Sequence, residues 1–206
     1  MGKAEQETKL YLVRHGETIW NVEDKMQGVK DSPLTEKGIE HARKLGQTLK
    51  NLSIGIDKIY SSDLGRALDT AKLIGEVLKL DIHKDERLRE RNMGIFEGYS
   101  WDSVRDHFPE EFAKTVSDDN DYRIPGGDTK AEYIDQVSSF LDYTGKEHEG
   151  KKILAVTHRG FIGFALRIVL SIPFNARMGV VVGNTVLAGF IYRKGNYFIR
   201  VFKKRL

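Results

Sequence analysis

Arg14 and His15 put a permanent cation next to an imidazole, and Gly16 and Glu17 follow at once. Two more polar clusters carry related chemistry: Ser61-Ser62-Asp63 with Arg66 just beyond it, and Thr157-His158-Arg159-Gly160. Two guanidiniums and two imidazoles with no cage of carboxylates suit an anionic ligand, most simply a phosphoryl group. The cations hold His15 toward its neutral form in the empty site. A neutral imidazole is a nucleophile and forms covalent intermediates. Gly16 lets the backbone approach the ligand closely. Expelling an alkoxide then needs a carboxylic acid as proton donor, and Glu90 and Glu17 are the candidates.

Each piece also has a plainer meaning. Arg66 reads equally as an exposed helix arginine, and His158 as a structural histidine. Glu90 lies in the charged run Asp85-Glu86-Arg87-Leu88-Arg89-Glu90-Arg91, a pattern that usually marks a solvated face. The functional reading gains weight from the clusters together.

Those clusters meet only if the right elements carry them. Leu10 to Val13 is a short apolar run that reads as a buried strand ending at Arg14-His15. Pro33-Leu34-Thr35 opens a helical pattern through Ile39, Ala42, Leu45, Leu49 and Leu52. Ile56 to Tyr60 reads as a second strand, with Ser61-Ser62-Asp63 as cap-type residues for a helix through Leu64, Ala67, Leu68, Ala71, Ile74 and Leu78. The stretch 94–125 reads as a lid-like excursion with one or two helices. Thr129-x-x-Glu132 is a capping-box pattern before another helix. Lys152 to Val156 reads as a third strand, followed by a largely apolar helix from Gly160 to Leu170. Thr185 to Tyr192 and Tyr197 to Phe202 read as a hairpin around Lys194-Gly195-Asn196. Strands alternating with helices predict a three-layer α/β/α fold over residues 1–206, with a mostly parallel, doubly wound sheet. Ligands of such sheets collect outside the carboxyl ends of the strands, where all three clusters fall.

Composition removes several alternatives. The chain has 206 residues, no cysteine, six histidines and a formal net charge of +3. Without cysteine there is no disulfide, thiolate nucleophile or cysteine-bound metal. The histidines show no H-x-x-x-H or H-E-x-x-H spacing, so no metal site is expected, and no G-x-x-x-x-G-K-[ST] loop is present. His41, His83, His107 and His148 read as surface or packing residues. The small charge excess does not imply nucleic acid as a partner. Met1 to Lys9 is polar, and the apolar stretch Phe161 to Pro173 is interrupted by Arg167 and too short to span a bilayer. The expectation is a cytoplasmic protein with no membrane partner.

Six motifs in order resemble the histidine phosphatase superfamily, the phosphoglycerate-mutase-like proteins. They are Leu12-Val13-Arg14-His15-Gly16-Glu17-Thr18 with Asn21; Gln27-Gly28 with Asp31-Ser32-Pro33-Leu34-Thr35 and Gly38; Ser61-Ser62-Asp63-Leu64 with Arg66-Ala67 and Thr70-Ala71; Leu88-Arg89-Glu90 with Gly94 and Glu97-Gly98; Pro125-Gly126-Gly127-Asp128; and Val156-Thr157-His158. The resemblance implies a phosphohistidine mechanism with no metal and no cofactor. On it, His15 resembles the residue that becomes phosphorylated, and Glu90 the general acid that later activates water. Arg14, Arg66 and His158 resemble the phosphate-binding pocket, with Asn21 as a further phosphate contact. Gln27 and Gly28 sit where members contact substrate. Arg159 stands where a glycine is usual; it either adds a third cation for a second anionic group or turns away to a carboxylate.

Within the superfamily the sequence resembles the phosphatase branch, a phosphoric monoester hydrolase acting on a small phosphorylated metabolite of the sugar phosphate or phosphoglycerate type. The stretch Glu110 to Asp121 is acidic, which suits a bisphosphate poorly. A 2,3-bisphosphoglycerate-dependent phosphoglycerate mutase is the alternative, and a catalytically silent phosphate-binding scaffold is the alternative of another class. Phe174, Met178 and Val180 to Val182 are apolar and leave a homodimer open.

Overall fold

The computed structural model describes residues 7–117, 119–174, 176 and 178–203. Residues 1–6, Asp118 and the basic end 204–206 lie outside the described residues. Six strands form one sheet: β1 (Thr8–Arg14), β2 (Lys58–Ser61), β3 (Ile82–Lys84), β4 (Lys152–Thr157), β5 (Leu187–Arg193) and β6 (Asn196–Lys203), in the order β3-β2-β4-β1-β5-β6. β3, β2, β4 and β1 pair in parallel, and β5 and β6 add an antiparallel edge. The helices are α1 (Ile19–Val22), α2 (Glu36–Asn51), α3 (Gly65–Leu78), α4 (Trp101–His107), α5 (Pro109–Val116), α6 (Lys130–Glu147) and α7 (Arg159–Leu170).

Alternation along the central strands builds the three layers, because successive side chains leave a strand on opposite faces. Ile153 and Ala155 of β4, with Leu10 and Leu12 of β1, pack against Val137 and Phe140 of α6 and Phe161 and Ile162 of α7. Leu154 and Val156, with Val13, pack on the other face against Leu45 and Leu49 of α2 and Ala71 and Ile74 of α3. Each fully buried large side chain contributes about 1.5–3 kcal/mol. The excursion has its own small core of Phe96, Val104 and Ile124.

The parallel register sets the site. Arg14 stands opposite Thr157, and Ser61 opposite Val156, so the carboxyl ends of β1, β2 and β4 lie level. The capping box at Thr129 and Glu132 is present at the start of α6. Two local expectations change. Ser61-Ser62-Asp63 does not cap α3 from the N-cap position, which is Leu64 with no side-chain cap. Instead the carboxylate of Asp31 accepts from the backbone N–H groups of Gly65 and Arg66, reaching across from a different loop. Leu52 ends the apolar series of α2 as an exposed C-cap residue, not a buried one. Strand β3 has no counterpart among the strands expected from sequence, because it is three residues long and two of them are polar.

Gly38, in the first turn of α2, fixes how closely that helix abuts the segment after His15. A Cβ there would meet the backbone of Glu17, with its nitrogen only 2.9 Å away. Gly38→Ala should cost about 1–3 kcal/mol through overpacking. Gly163→Ala in α7, where a Cβ meets nothing within 4 Å, should stabilise by up to about 1 kcal/mol. Urea unfolding of the two variants checks this opposite pair of signs.

Candidate active site

The end of β1 delivers Arg14 and His15 to the level edge of the sheet. The backbone N–H of His15 bonds the carbonyl of Thr157 at 2.9 Å, and the N–H of Gly16 bonds Oγ1 of Thr70 at 2.9 Å. Asn184 closes the ring from the segment before β5. Its Nδ2 lies 3.1 Å from the carbonyl oxygens of both His15 and Gly16, and 3.0 Å from Oδ1 of Asn21.

His15 is buried, and its Nδ1 lies 2.7 Å from the carbonyl oxygen of Gly16. A carbonyl only accepts, so the ring's proton is on Nδ1 and Nε2 keeps the lone pair. Burial, then the charges of Arg14 and Arg66, hold the ring well below the usual imidazole range, against the Gly16 bond. The neutral, Nδ1-protonated form is therefore the resting form.

His158 packs beside it, ring centroids 5.3 Å apart, and is fully buried. Burial, then Arg66, His15 and Arg14, push it well below the imidazole range too. The Ser62 hydroxyl accepts from the Leu64 N–H at 3.3 Å and can give its own proton to Nε2 of His158 at 2.9 Å. The ring's one proton then sits on Nδ1, which is buried and has no partner among the protein atoms.

Arg66 is almost entirely buried in α3. It donates to the Gly28 carbonyl at 2.7 Å, to the Lys30 carbonyl at 2.7 Å and to Oδ1 of Asp31 at 3.0 Å. Arg14 donates to the Val182 carbonyl at 2.7 Å. Its pKa falls to about 10, through burial first and then the charge of Arg159, with Glu90 opposing. The guanidinium thus stays cationic at neutral pH. In both arginines Nε is buried and unpartnered. Such donors, each costly to leave bare, are what an anion's oxygens satisfy.

Glu90 faces this group from the loop after β3. Its carboxylate accepts from the Tyr133 hydroxyl at 2.9 Å, the Gly160 N–H at 2.9 Å and the Arg91 N–H at 3.1 Å. Gly160 has to lack a side chain, because a Cβ there would fall on that carboxylate. The run around Glu90 is therefore not a solvated face: Leu88 and Arg91 are buried within it. Glu17 does not share the chamber. It pairs with Lys37 at 2.8 Å and with Thr35 at 3.1 Å.

A chamber of about 710 Å³ opens over these residues and is lined by Arg14, His15, Asn21, Gln27, Gly28, Arg66, Glu90 and Arg159. His158 is fully buried beside His15 and does not line the chamber, so the phosphate contact expected of it would run through its unpartnered Nδ1–H. Gln27 donates to Thr18 Oγ1 at 2.9 Å while its Oε1 stays unpartnered. The outer wall is apolar, with Trp20, Met26, Trp101, Phe164 and Phe174. This lining bears on two expectations. Among the described residues, the carboxylates of the excursion, Glu110, Glu111, Asp119 and Asp121 included, do not line the chamber; the excursion's lining comes from Trp101, Thr115 and Val116. Phe174, Met178, Val180 and Val182 line the chamber as well, so most of that apolar group already has a place in the site. Among the described residues no cluster of His, Asp and Glu could hold a metal ion, and no helix is long and apolar enough to cross a membrane.

Asn184 and Tyr133 escaped sequence reading, since each acts on a residue distant in the chain and neither lies in a recognisable local pattern; Asp31 belongs to one of the motifs, but its bonds to Gly65 and Arg66 are not legible there.

Comparison with known proteins bears on the fold and the family. The model of the histidine phosphatase superfamily (branch 1) matches residues 10–204. A relative named probable phosphoglycerate mutase GpmB, from Salmonella paratyphi B, is 36% identical over 92% of this chain and 87% of its own length. The solved structure of Bacillus stearothermophilus YhfR superposes with a TM-score of 0.85 at 33% identity, over 94% of this chain and 96% of that one. Phosphoserine phosphatase from Entamoeba histolytica, in complex with 3-phosphoglyceric acid, gives a TM-score of 0.84 at 30% identity, over 96% and 97% of the two chains.

Burying two neutral histidines has a consequence for stability. The unfolded chain protonates its imidazoles as pH falls through about 6.5, while the folded chain does not. The folded state therefore binds fewer protons in that window, and stability is full above it and lost below it. Each such ring steepens the loss by up to about 1.4 kcal/mol per pH unit. Urea unfolding in phosphate-free buffer at about pH 7.5 and about pH 5 should show this loss, shallower in His158→Gln. An equal loss in both proteins would contradict the assignment.

Proposed function

The chain belongs to the histidine phosphatase superfamily, and on that premise we propose that it is a metal-independent phosphomonoesterase working through a phosphohistidine at His15. The orientation of His15 supports this most directly, with Nδ1 tied to the Gly16 carbonyl and Nε2 free to attack at the floor of a cation-lined chamber.

In the first half-reaction Nε2 of His15 attacks phosphorus and the bond to the ester oxygen breaks. Glu90 gives its proton to that oxygen as it leaves. Arg14, Arg66 and His158, with Asn21, hold the phosphoryl oxygens, where charge is concentrated. The ring becomes formally cationic, and the Gly16 carbonyl stabilises its Nδ1–H. In the second half-reaction Glu90 takes a proton from water, the hydroxide oxygen bonds to phosphorus, and His15 departs as neutral imidazole. Tyr133 and the Gly160 N–H keep the Glu90 carboxyl group in place for both transfers. The substrates are small phosphorylated metabolites of the sugar phosphate or phosphoglycerate type.

The mutase reading has one observation on its side. Asp24 and Glu90 are the only carboxylates among the described residues lining the chamber, and cations outnumber them. Isomer exchange of phosphoglycerate that strictly requires added bisphosphoglycerate, with negligible hydrolysis, would favour it.

Hydrolysis of p-nitrophenyl phosphate in EDTA should proceed at the uninhibited rate and vanish in His15→Ala. Glu90→Gln should lose about 10²–10⁴ in kcat, with the inhibition constant for inorganic phosphate little changed. Normal activity in His15→Ala would refute the proposal.

A further inference from the structure

The cations around the chamber are not equivalent. Arg14 and Arg66 are anchored to backbone carbonyls and belong to the phosphoryl end. Arg91 gives NH2 to the Asp128 carbonyl at 2.7 Å, Arg167 gives NH2 to the Ala176 carbonyl at 2.7 Å, and Lys25 pairs with Glu23 at 2.9 Å. Arg159 differs from all of these. It is exposed at the first turn of α7, lines the chamber, and its guanidinium makes no hydrogen bond or ion pair with any described residue. The second of the two orientations left open by the sequence, turned away to a carboxylate, is not the one found.

Its position also says which part of a substrate it meets. The next residue, Gly160, holds the Glu90 carboxylate through its N–H. Glu90 serves the leaving oxygen, so Arg159 stands on the leaving-group side of the phosphoryl site. Its charge reaches Arg14, whose own proton affinity it lowers. Two guanidiniums facing one chamber repel, and an anion between them relieves that repulsion. The phosphoryl oxygens already have Arg14, Arg66, His158 and Asn21 to serve them.

We propose that Arg159 is a specificity-determining residue that binds a second anionic group on the alcohol half of the substrate. The preferred esters are then those of alcohols carrying a carboxylate or a further phosphate near the ester oxygen. This rests on the phosphomonoesterase reading above. A guanidinium forms paired hydrogen bonds with either group, so the chemistry is shared and only experiment separates the two. The apolar wall of Trp20, Trp101 and Phe174 accommodates the carbon skeleton.

The test compares kcat/KM for phenyl phosphate, carboxyphenyl phosphate and phenylene bisphosphate in the wild type, Arg159→Met and Arg159→Lys. The wild type should prefer a doubly anionic ester, and Arg159→Met should reduce that preference about tenfold or more, as expected for loss of a charge-assisted hydrogen bond. Arg159→Lys should keep part of it, and added salt should narrow the wild-type ratio. Whether the carboxylate or the bisphosphate loses more identifies the anion. An unchanged ratio in Arg159→Met, or an equal fall on all three esters, overturns the inference while leaving the phosphatase reading intact. Failure of the wild type to hydrolyse any of the three overturns both.

Discussion

Four groups that would each prefer water or a counter-charge are buried together at one edge of the sheet: the guanidiniums of Arg14 and Arg66 and the imidazoles of His15 and His158. Two cations in a low-dielectric setting cannot tolerate two more beside them. The rings therefore give up their second protons, and the hydrogen bond from His15 Nδ1 to the Gly16 carbonyl decides which nitrogen keeps its lone pair. That bond converts an electrostatic constraint into chemistry, because it aims an unprotonated Nε2 at the chamber rather than merely leaving the ring neutral.

Much of the surrounding structure holds this crowd in place. Parallel pairing of β1, β2 and β4 sets the strand ends level. Asp31 serves twice, as partner to Arg66 and as the acceptor for the first N–H groups of α3. Glu97 braces the loop that offers carbonyls to Arg66, accepting from the N–H of Val29 at 2.8 Å and of Met93 at 3.0 Å. Asn184 stitches the His15 segment to the segment that leads into the neighbouring strand β5. An ion pair between Arg89 and Asp63 secures the loop that carries Glu90. The positions of His15 and Glu90 depend on these groups.

The centre of the candidate site was legible in the sequence because its motifs are local. Arg14-His15, Arg66 after Ser62 and Thr157-His158 sit at or just past strand ends that apolar runs announce, whereas Glu90 follows the unannounced β3 and is singled out over Glu17 only by the resemblance; the three-layer fold and family follow from these motifs. What escaped depends on distance along the chain or on direction. Tyr133 meets Glu90, and Asn184 meets His15, only after the sheet has formed. β3 is too short and too polar to register as a periodic pattern. The excursion illustrates direction: its carboxylates are plain in the sequence, but nothing there says that α5 turns Thr115 and Val116, rather than Glu110, toward the chamber. The apolar group around Met178 likewise read as interface or core, whereas much of it lines the site.

The central claim is that the Gly16 carbonyl fixes Nε2 of His15 as the attacking atom. Rapid acid-free quenching during turnover, followed by phosphopeptide mapping and phosphorus–nitrogen coupling by NMR, reads that atom directly. The account predicts a transient phosphoryl group on His15, bonded through Nε2, that forms and decays at rates compatible with turnover. A phosphoryl group on Nδ1, or on any other residue, or turnover with no phosphoenzyme at all, would contradict it.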